Sequence, residues 1–132
     1  MKDTLVPGLQ ASYRHRVVTE NLVSHFHPNG PPVLGSPFML LLMETAAFQA
    51  IAPHLDDDEQ SVGIGFDFEH LAATPAGQWV EARATVRQVM KRRVVFDIEA
   101  HDEHEPIGRG THVRAVIRMS RFLQRLRAKQ ST

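Results

Sequence analysis

The chain has 132 residues, of which 42% are hydrophobic and 23% charged, and its 15 Lys and Arg residues balance its 15 Asp and Glu residues. A chain of this length predicts one globular domain over residues 1–132 that can bury a sizeable core. The balanced charge gives no sign of a nucleic acid or a membrane surface as a partner, and zero cysteines exclude disulfides, thiol catalysis and thiolate metal sites. Because the sequence has no apolar run of membrane-spanning length and no signal-peptide core at its start, we expect a cytoplasmic protein.

The first predicted elements are a short strand and an irregular loop. Weak alternation of apolar and polar residues predicts the strand at Tyr13–Thr19. Residues 21–35 are expected to form a loop, because the segment HPNGPP (27–32) is dense in turn residues. The loop also carries Phe26 and Leu34, so we expect it to fold over a binding site as a lid.

A long apolar helix follows, and the rest of the pattern is arranged around it. Ser36 is the predicted N-cap and Pro37 the first helical residue, and the helix should end near Ala52, just before Pro53. A helix that is apolar on all faces is normally buried. Its middle carries Glu44, and because burying an unpaired carboxylate is costly, Glu44 requires a charged partner, a bound proton or a chemical role.

Four strands with alternating apolar and polar residues follow the helix. They are predicted at Ser61–His70, Trp79–Met90, Val94–Ala100 and Ile107–Met119. In the first of them His70 has the parity of the apolar face, so it should point into the core. That apolar face comprises Val62, Ile64, Phe66 and Phe68.

The last strand is predicted to turn its polar residues His112 and Arg114 outward. Its inward face would then comprise Val113, Ala115 and Ile117. The links between the last three strands are short and polar, so these strands should pair antiparallel as a meander. A short C-terminal helix capped by Ser120 is predicted to complete the chain.

The order of strand, long buried helix and four antiparallel strands predicts an α+β protein with the hotdog fold, in which one antiparallel sheet wraps around a central helix. Such a sheet leaves an exposed edge strand, and unpaired backbone groups along an edge favour association with another strand. We therefore expect a homodimer, or a dimer of such dimers.

Three side chains in this arrangement combine into a candidate catalytic site: Ser36 at the helix start, Glu44 in its middle and His70 on the inner face of a strand. Ser36 and Glu44 are separated by about 12 Å of helical rise, so they should not touch directly. A substrate could lie between them, or a partner subunit could bring in His70. A carboxylate, an imidazole and a hydroxyl suit acyl-group hydrolysis, with Glu44 as nucleophile or general base, His70 as general acid/base and Ser36 positioning the carbonyl.

Three segments resemble the hotdog acyl-CoA thioesterases of the fluoroacetyl-CoA thioesterase type: GSPFMLLLMETAA (35–47), VGIGFDFEHLAATPAG (62–77) and EAHDEHEPIGRGTHVRAVI (99–117). The similarity runs from about Pro32 to Phe122 and implies an enzyme that hydrolyses a small acyl-CoA thioester to a carboxylate and free CoA. It assigns the catalytic roles to Ser36, Glu44 and His70. It also implies that the backbone of Gly63 helps to hold the substrate and that Arg114 lies near the pocket.

Two departures limit what the resemblance implies about the acyl group. The family's threonine is replaced here by Ser36, which keeps the hydroxyl and lacks a methyl group. The N-terminal segment and loop 21–35, which forms the substrate lid in the family, match poorly, so the resemblance does not imply specificity for fluoroacetyl-CoA. Pocket size should depend on this loop and on four apolar side chains, Phe26, Leu34, Phe38 and Phe66, of which Leu34 and Phe38 are predicted to contact the substrate.

Each candidate residue also has a purely structural interpretation. Ser36 could act only as a helix cap, Glu44 as half of an ion pair with Arg114, and His70 as a satisfied core side chain. Gly63 could mark a β-bulge or a point of close packing. The alternative functions are a hotdog hydratase or dehydratase acting on acyl thioesters, and a non-catalytic acyl-CoA-binding dimer. We expect no metal and no cofactor, because the histidine pairs in the loops lack a third ligand at a fixed spacing.

Overall fold

One antiparallel sheet and one long helix make up most of the protein in the computed structural model, which describes residues 1–131. The strands are β1 (Gln10–Arg16), β2 (Glu59–His70), β3 (Trp79–Met90), β4 (Arg93–His101) and β5 (Pro106–Arg118). The helices are α1 (Val23–Phe26), α2 (Ser36–Ile51) and α3 (Met119–Gln130), with 3-10 turns at Thr19–Asn21 and Ala52–His54. This is the predicted combination of a sheet with one long central helix.

The strands are ordered β1-β3-β4-β5-β2 across the sheet. Strands β3, β4 and β5 pair antiparallel with their neighbours along the chain, which confirms the predicted meander. Strand β2 pairs with β5 rather than with the strand that follows it, and β1 pairs with β3. Strand β2 is therefore an edge strand of 12 residues, and no other strand within residues 1–131 lies along its outer side.

Helix α2 packs across one face of the sheet, and small side chains let it lie close to the strands. Its fully buried residues include Met39, Met43, Ala46, Ala47 and Ile51. The buried side chains that β3 and β4 contribute to the same core are Val80, Ala82, Ala84, Val86, Val94, Phe96, Ile98 and Ala100. Other positions of the helix are uncovered in the single chain, since Leu41 is 52% exposed and Phe48 is 39% exposed. The expectation of a helix buried on all faces is therefore wrong for the single chain.

The start of α2 differs by one residue from the prediction. Gly35 is the N-cap, Ser36 is the first helical residue, and Pro37 follows in the first turn. Within residues 1–131 the Ser36 side chain makes no capping hydrogen bond, because its hydroxyl bonds to a side chain of β2 instead. The predicted N-cap role of Ser36 is therefore wrong.

An irregularity in β2 changes which of its residues face α2. The pairing of β2 with β5 shifts register between Gly63 and Gly65, which leaves Ile64 as an extra, half-exposed residue. Before this bulge Ser61 and Gly63 face the helix. After it the inward side chains are Phe66, Phe68 and His70.

The bulge decides the outcome of two predictions about β2. The prediction that Val62, Ile64, Phe66 and Phe68 share one face is wrong, because the extra residue breaks the period of two. The inward direction of His70 is confirmed. Phe66, Phe68 and His70 all follow the bulge along the chain, so the period of two still places them on one face.

Strand β5 presents the opposite face from the one predicted. His112 and Arg114 are buried on the side of α2, whereas Val113, Ala115 and Ile117 are only partly buried. The prediction of an outward Arg114 is therefore wrong. The prediction failed because polar side chains can be buried when their hydrogen bonds are satisfied, as those of Arg114 and His112 are.

The two ends of the chain also differ from their predictions. Strand β1 begins and ends earlier than the predicted Tyr13–Thr19, and loop 21–35 contains the short helix α1. Helix α3 begins at Met119, so Ser120 lies inside it and donates its hydroxyl to Asp58 at 2.7 Å. None of the helices within residues 1–131 is long and apolar enough to cross a membrane.

A buried carboxylate ties the N-terminus to the start of β2. Glu59 accepts hydrogen bonds from the Met1 ammonium group at 2.5 Å and from Arg92 at 2.8 Å, and its side chain is almost fully buried. Burial by itself raises the pKa of Glu59. The hydrogen bonds from Met1, from the Asp56 backbone and from Arg92 outweigh it and lower that pKa from 4.5 to about 2.

We expect Glu59→Gln to reduce the acid sensitivity of folding. Because the pKa of Glu59 is lower in the folded state, its ionised form contributes stability fully above pH 4.5 and loses that contribution as the pH falls toward 2. Urea unfolding between neutral pH and about pH 3 should therefore show a smaller loss of unfolding free energy in the variant than in the wild type. The same acid sensitivity in both proteins would contradict the role given to Glu59.

Candidate active site

Ser36 and His70 form a direct hydrogen bond within one chain. The Ser36 hydroxyl oxygen and His70 Nδ1 are 2.8 Å apart, which joins the first turn of α2 to the last residue of β2. His70 Nε2 is buried and has no hydrogen-bond partner within residues 1–131. A serine–histidine pair with one unpaired ring nitrogen can exchange a proton with a bound group.

Glu44 lies in the middle of α2 and forms an ion pair with Arg114 of β5. Arg114 Nη1 and Glu44 Oε2 are 3.3 Å apart. The partners differ in burial, since the Arg114 side chain is 4% exposed and the Glu44 side chain is 38% exposed. The ion pair considered as the structural interpretation of Glu44 is therefore present. It leaves part of the carboxylate accessible.

Arg114 is held in place by Ser61 and His112 as well as by Glu44. Arg114 Nε donates to the Ser61 hydroxyl and Nη2 to the Ser61 carbonyl, both at 2.9 Å. Nη1 donates to His112 Nε2 at 3.2 Å. His112 in turn donates from Nδ1 to the Gly65 carbonyl at 2.8 Å. Because His112 accepts at one nitrogen and donates from the other, it is the neutral tautomer with its proton on Nδ1.

Burial controls the charge states in this cluster. It lowers the pKa of His112 from its ordinary 6.5, and the nearby Arg114 charge lowers it further, against the opposing effects of Gly65 and Glu44. Burial also lowers the pKa of the Arg114 guanidinium, an effect that the Glu44 carboxylate opposes. An arginine begins from so high a pKa that it keeps its charge. The cluster therefore pairs a charged guanidinium with a neutral imidazole.

Gly63 lies directly against the ion pair. A methyl group on its Cα would overlap Glu44 Oε2 and come within 3.0 Å of His112 Cε1. Only glycine lets the strand approach the carboxylate this closely without displacing it. Gly63 also stands where the register shift begins, so both structural interpretations of this residue, close packing and a β-bulge, apply.

The predicted catalytic residues thus form two groups along α2. Ser36 and His70 meet at its first turn, and Glu44 lies with Gly63 and Arg114 further along the helix. The helical rise between Ser36 and Glu44 is about 12 Å. One chain therefore joins Ser36 to His70 and does not join either of them to Glu44.

The two predicted apolar substrate contacts lie in different environments. Leu34 is fully buried in the core, and its backbone N–H donates to the Thr74 carbonyl at 2.8 Å. Phe38 is half-buried, packs against Phe26 with ring centroids 5.9 Å apart, and lines a cavity of about 210 Å³. His70 lines a different cleft, of about 310 Å³, at the protein surface.

Ser61 and His112 belong to the site and were missed at the level of the sequence. His112 is predicted to point outward, and Ser61 alternates with the predicted apolar face of its strand, whereas both are buried and bond to Arg114. For Ser61 a signal was present in the segment Gly63-Ile64-Gly65. Two glycines so close together within a strand are typical of a bulge, and a bulge there reverses the faces on one side of it.

Known proteins are similar to this chain in sequence and in fold. The family model FlK, described as fluoroacetyl-CoA-specific thioesterase, matches residues 17–120. The fluoroacetyl-CoA thioesterase of Streptantibioticus cattleyicolor is 37% identical over 135 residues, which cover 98% of this chain and 97% of that protein. The chain belongs to the fluoroacetyl-CoA thioesterase family. It is a thioester hydrolase, as the resemblance implied.

Solved structures of fluoroacetyl-CoA thioesterase and of more distant proteins have the same fold. FlK itself matches with a TM-score of 0.90 at 36% identity, over 96% of this chain and 98% of that one. A thioesterase superfamily member from Thermus thermophilus matches with a TM-score of 0.91 at 26% identity, over 98% and 96%. Variants of FlK have been solved with fluoroacetate and CoA and with acetyl-CoA. The predicted α+β hotdog fold is confirmed.

We expect Gly63→Ala to remove most thioester hydrolysis while the protein stays folded. The methyl group would displace the Glu44 carboxylate, the mobile end of a long side chain, and a misplacement of about 1 Å can cost roughly 100-fold in rate. Gly65→Ala is the matched control, because a methyl group there is only in ordinary contact with Val113, at 4.0 Å. Thiol release from acetyl-CoA and thermal unfolding check both variants. Equal activity of the two would contradict the placement of Glu44 against Gly63.

Proposed function

We propose that this protein hydrolyses a small acyl-CoA to the carboxylate and free CoA, with Glu44 acting at the thioester carbonyl. The observation that carries the proposal is the half-exposed Glu44 carboxylate, paired on one side with the buried Arg114. An arginine and a carboxylate that form a purely structural ion pair favour bidentate contact. Here a single nitrogen, Arg114 Nη1, faces a single oxygen, Glu44 Oε2. The ligands of the FlK variants, fluoroacetate, CoA and acetyl-CoA, support a small acyl group.

The three catalytic side chains have separate roles in this proposal. Glu44 attacks the carbonyl carbon through its free oxygen or takes a proton from the attacking water. The carbon–sulfur bond breaks, and the departing thiolate takes a proton from His70 Nε2, which has no other partner in residues 1–131. When both ring nitrogens of His70 carry a proton, Nδ1 donates to the Ser36 oxygen, and the Ser36 hydroxyl hydrogen is available to position the carbonyl. If Glu44 attacks, it forms an anhydride with the acyl group, and water then cleaves that anhydride, supplies the oxygen of the carboxylate and returns a proton to His70. If Glu44 acts as a base, the hydroxide formed from water supplies that oxygen, and the proton held by Glu44 returns to His70 through solvent.

Two further residues support the substrate in this proposal. The backbone of Gly63 helps to hold the thioester, because its missing side chain lets the strand lie directly beside the Glu44 carboxylate. Arg114 holds the Glu44 carboxylate in place. Phe38, in the first turn of α2, contacts the acyl group. The buried Leu34 supports the wall of the pocket from the core side.

Loop 21–35 has the features of a lid over the first turn of α2. Its two halves are joined by a bridge between Leu22 and Leu34, which fixes its base. Phe26 extends from the loop onto Phe38 and against Gly35. The residues between, at 27–32, are almost all exposed. We therefore assign the loop to closing the pocket next to Ser36.

We infer a homodimer in which each active site combines residues of both chains. The open edge of β2 carries half-exposed Ile64 and Phe66, and α2 exposes Leu41 and Phe48. Gly63 and His70 of one chain are separated by about 23 Å of strand. Two β2 edges could pair antiparallel about a two-fold axis at their middle. Gly63 of one chain would then lie closer to His70 of the second chain than to the His70 of its own chain.

We expect Glu44→Gln and His70→Ala each to lower thiol release from short acyl-CoA substrates by at least about 100-fold, the usual effect of removing an acid or base. Release is measured on a panel of short and medium acyl-CoAs. Glu103→Gln, in an exposed link, is the matched control and should retain full activity. Full activity of Glu44→Gln on a substrate that the wild type hydrolyses would show that another residue acts on the carbonyl.

The same panel separates the alternative functions. An enoyl thioester product without free thiol would indicate a hydratase or dehydratase. Tight acyl-CoA binding with no turnover, unchanged in Glu44→Gln, would indicate a non-catalytic binding dimer.

A complementation experiment tests whether the site is shared between chains. Light scattering should first give the mass of a dimer or of a dimer of dimers. Chains with Glu44→Gln and chains with His70→Ala, each inactive alone, are then co-expressed and the mixed dimer is purified with two tags. Because one of its two sites would combine an intact Glu44 with an intact His70, we expect about half of the wild-type activity. An inactive mixed dimer would place each site within a single chain.

A further inference from the structure

We propose that His112 is a positioning residue for hydrolysis, which holds the Arg114 guanidinium so that a single N–H group reaches Glu44. One oxygen of the Glu44 carboxylate is thereby kept free to react. This inference rests on the proposed function of Glu44 and adds a residue that acts on Glu44 through Arg114.

Most of the hydrogen-bond donors of Arg114 are directed at residues other than Glu44. A guanidinium has five N–H groups. Two of them, on Nε and Nη2, bond to Ser61, and one on Nη1 bonds to His112. This leaves one N–H on Nη1 and one on Nη2, and Nη1 is the nitrogen that lies 3.3 Å from Glu44 Oε2. If Nη1 were released from His112, the guanidinium could turn toward the parallel, bidentate geometry that occupies both carboxylate oxygens.

His112 can direct Arg114 because its own ring is fixed. It is fully buried and stacks on Phe66 with ring centroids 3.9 Å apart and planes inclined by 14°. Phe96 lies on it as well, at a centroid distance of 6.2 Å. The bond from Nδ1 to the Gly65 carbonyl sets the rotation of the ring and the tautomer. The lone pair of Nε2 therefore points at one place, which Arg114 Nη1 occupies.

The position of His112 also connects Arg114 to the irregular part of β2. Gly65, which accepts from His112, lies directly after the bulged Ile64, and Ser61 lies before it. The guanidinium is thus attached to β2 on both sides of the bulge. This geometry makes the orientation of Arg114 depend on His112 as well as on Ser61.

Two substitutions separate the positioning role from a packing role, because each keeps one of the two ring nitrogens' functions. His112→Asn retains a donor close to the position of Nδ1 and lacks the acceptor for Arg114. His112→Gln retains an acceptor that can reach Arg114 and lacks the donor to Gly65. Both replace the ring by a smaller amide, so a role in packing alone would affect them similarly. His104→Asn, in an exposed link, is the matched control.

We expect His112→Asn to lower kcat for a short acyl-CoA by about tenfold or more, with KM changed by less than about twofold, because the lost interaction acts on the reaction step. His112→Gln should recover most of the lost kcat. Both variants should show cooperative thermal unfolding, and the His104→Asn control should match the wild type.

Several outcomes would overturn the proposal. Equal kcat in wild type and His112→Asn would do so, as would an equal loss in both variants or an effect confined to KM. Failure of His112→Asn to fold would show that His112 acts through packing. Wild type and Glu44→Gln are assayed alongside: an inactive wild type, or a fully active Glu44→Gln, would refute the proposed function itself, and this inference with it.

Discussion

The buried guanidinium of Arg114 is the constraint on which the arrangement of the site depends. A charged side chain with 3% exposure is costly unless its donors are bonded and its charge is opposed. Ser61 and His112 bond the donors, and Glu44 opposes the charge. To supply them, β5 turns its polar face toward the central helix and β2 interrupts its alternation next to Gly63.

The same constraint accounts for a carboxylate in an otherwise apolar helix. Glu44 is tolerated in α2 because Arg114 approaches it from the sheet, and Gly63 makes room for the approach. A buried ion pair is poor evidence for added stability, since the cost of removing both charges from water offsets their attraction. A well-packed apolar pair in the same place would serve the fold equally well. We therefore propose that the cluster serves thioester hydrolysis rather than stability.

The site is divided between two places on one helix, and the surfaces left uncovered lie beside it. Ser36 and His70 meet where α2 begins, whereas Glu44 lies further along the same helix. Between and beside them the apolar residues Leu41, Phe48 and Ile64 are exposed in the single chain. An unpaired edge strand with apolar side chains favours pairing with a second copy. In the proposed homodimer, one contact between the two chains would both cover that surface and complete the site.

The sequence by itself determined most of the elements and the protein family. The apolar run of α2 with Glu44 inside it, the alternating strands, the meander of β3 to β5 and the inward His70 all follow from local periodicity, which depends on neighbouring residues alone. The segments around Ser36, Glu44 and His70 also carried enough similarity to indicate a thioesterase, which the comparisons confirmed.

Only the tertiary structure decided which faces of β2 and β5 are turned inward, and therefore that His112 and Ser61 belong to the site. It also placed β2 beside β5 and joined the Ser36 hydroxyl to His70 instead of to the helix backbone. These features depend on strand pairing across the chain and on where a buried charge finds its partners. An alternating pattern is symmetrical with respect to the two faces of a strand, so it cannot distinguish a polar surface from a polar, hydrogen-bonded interior.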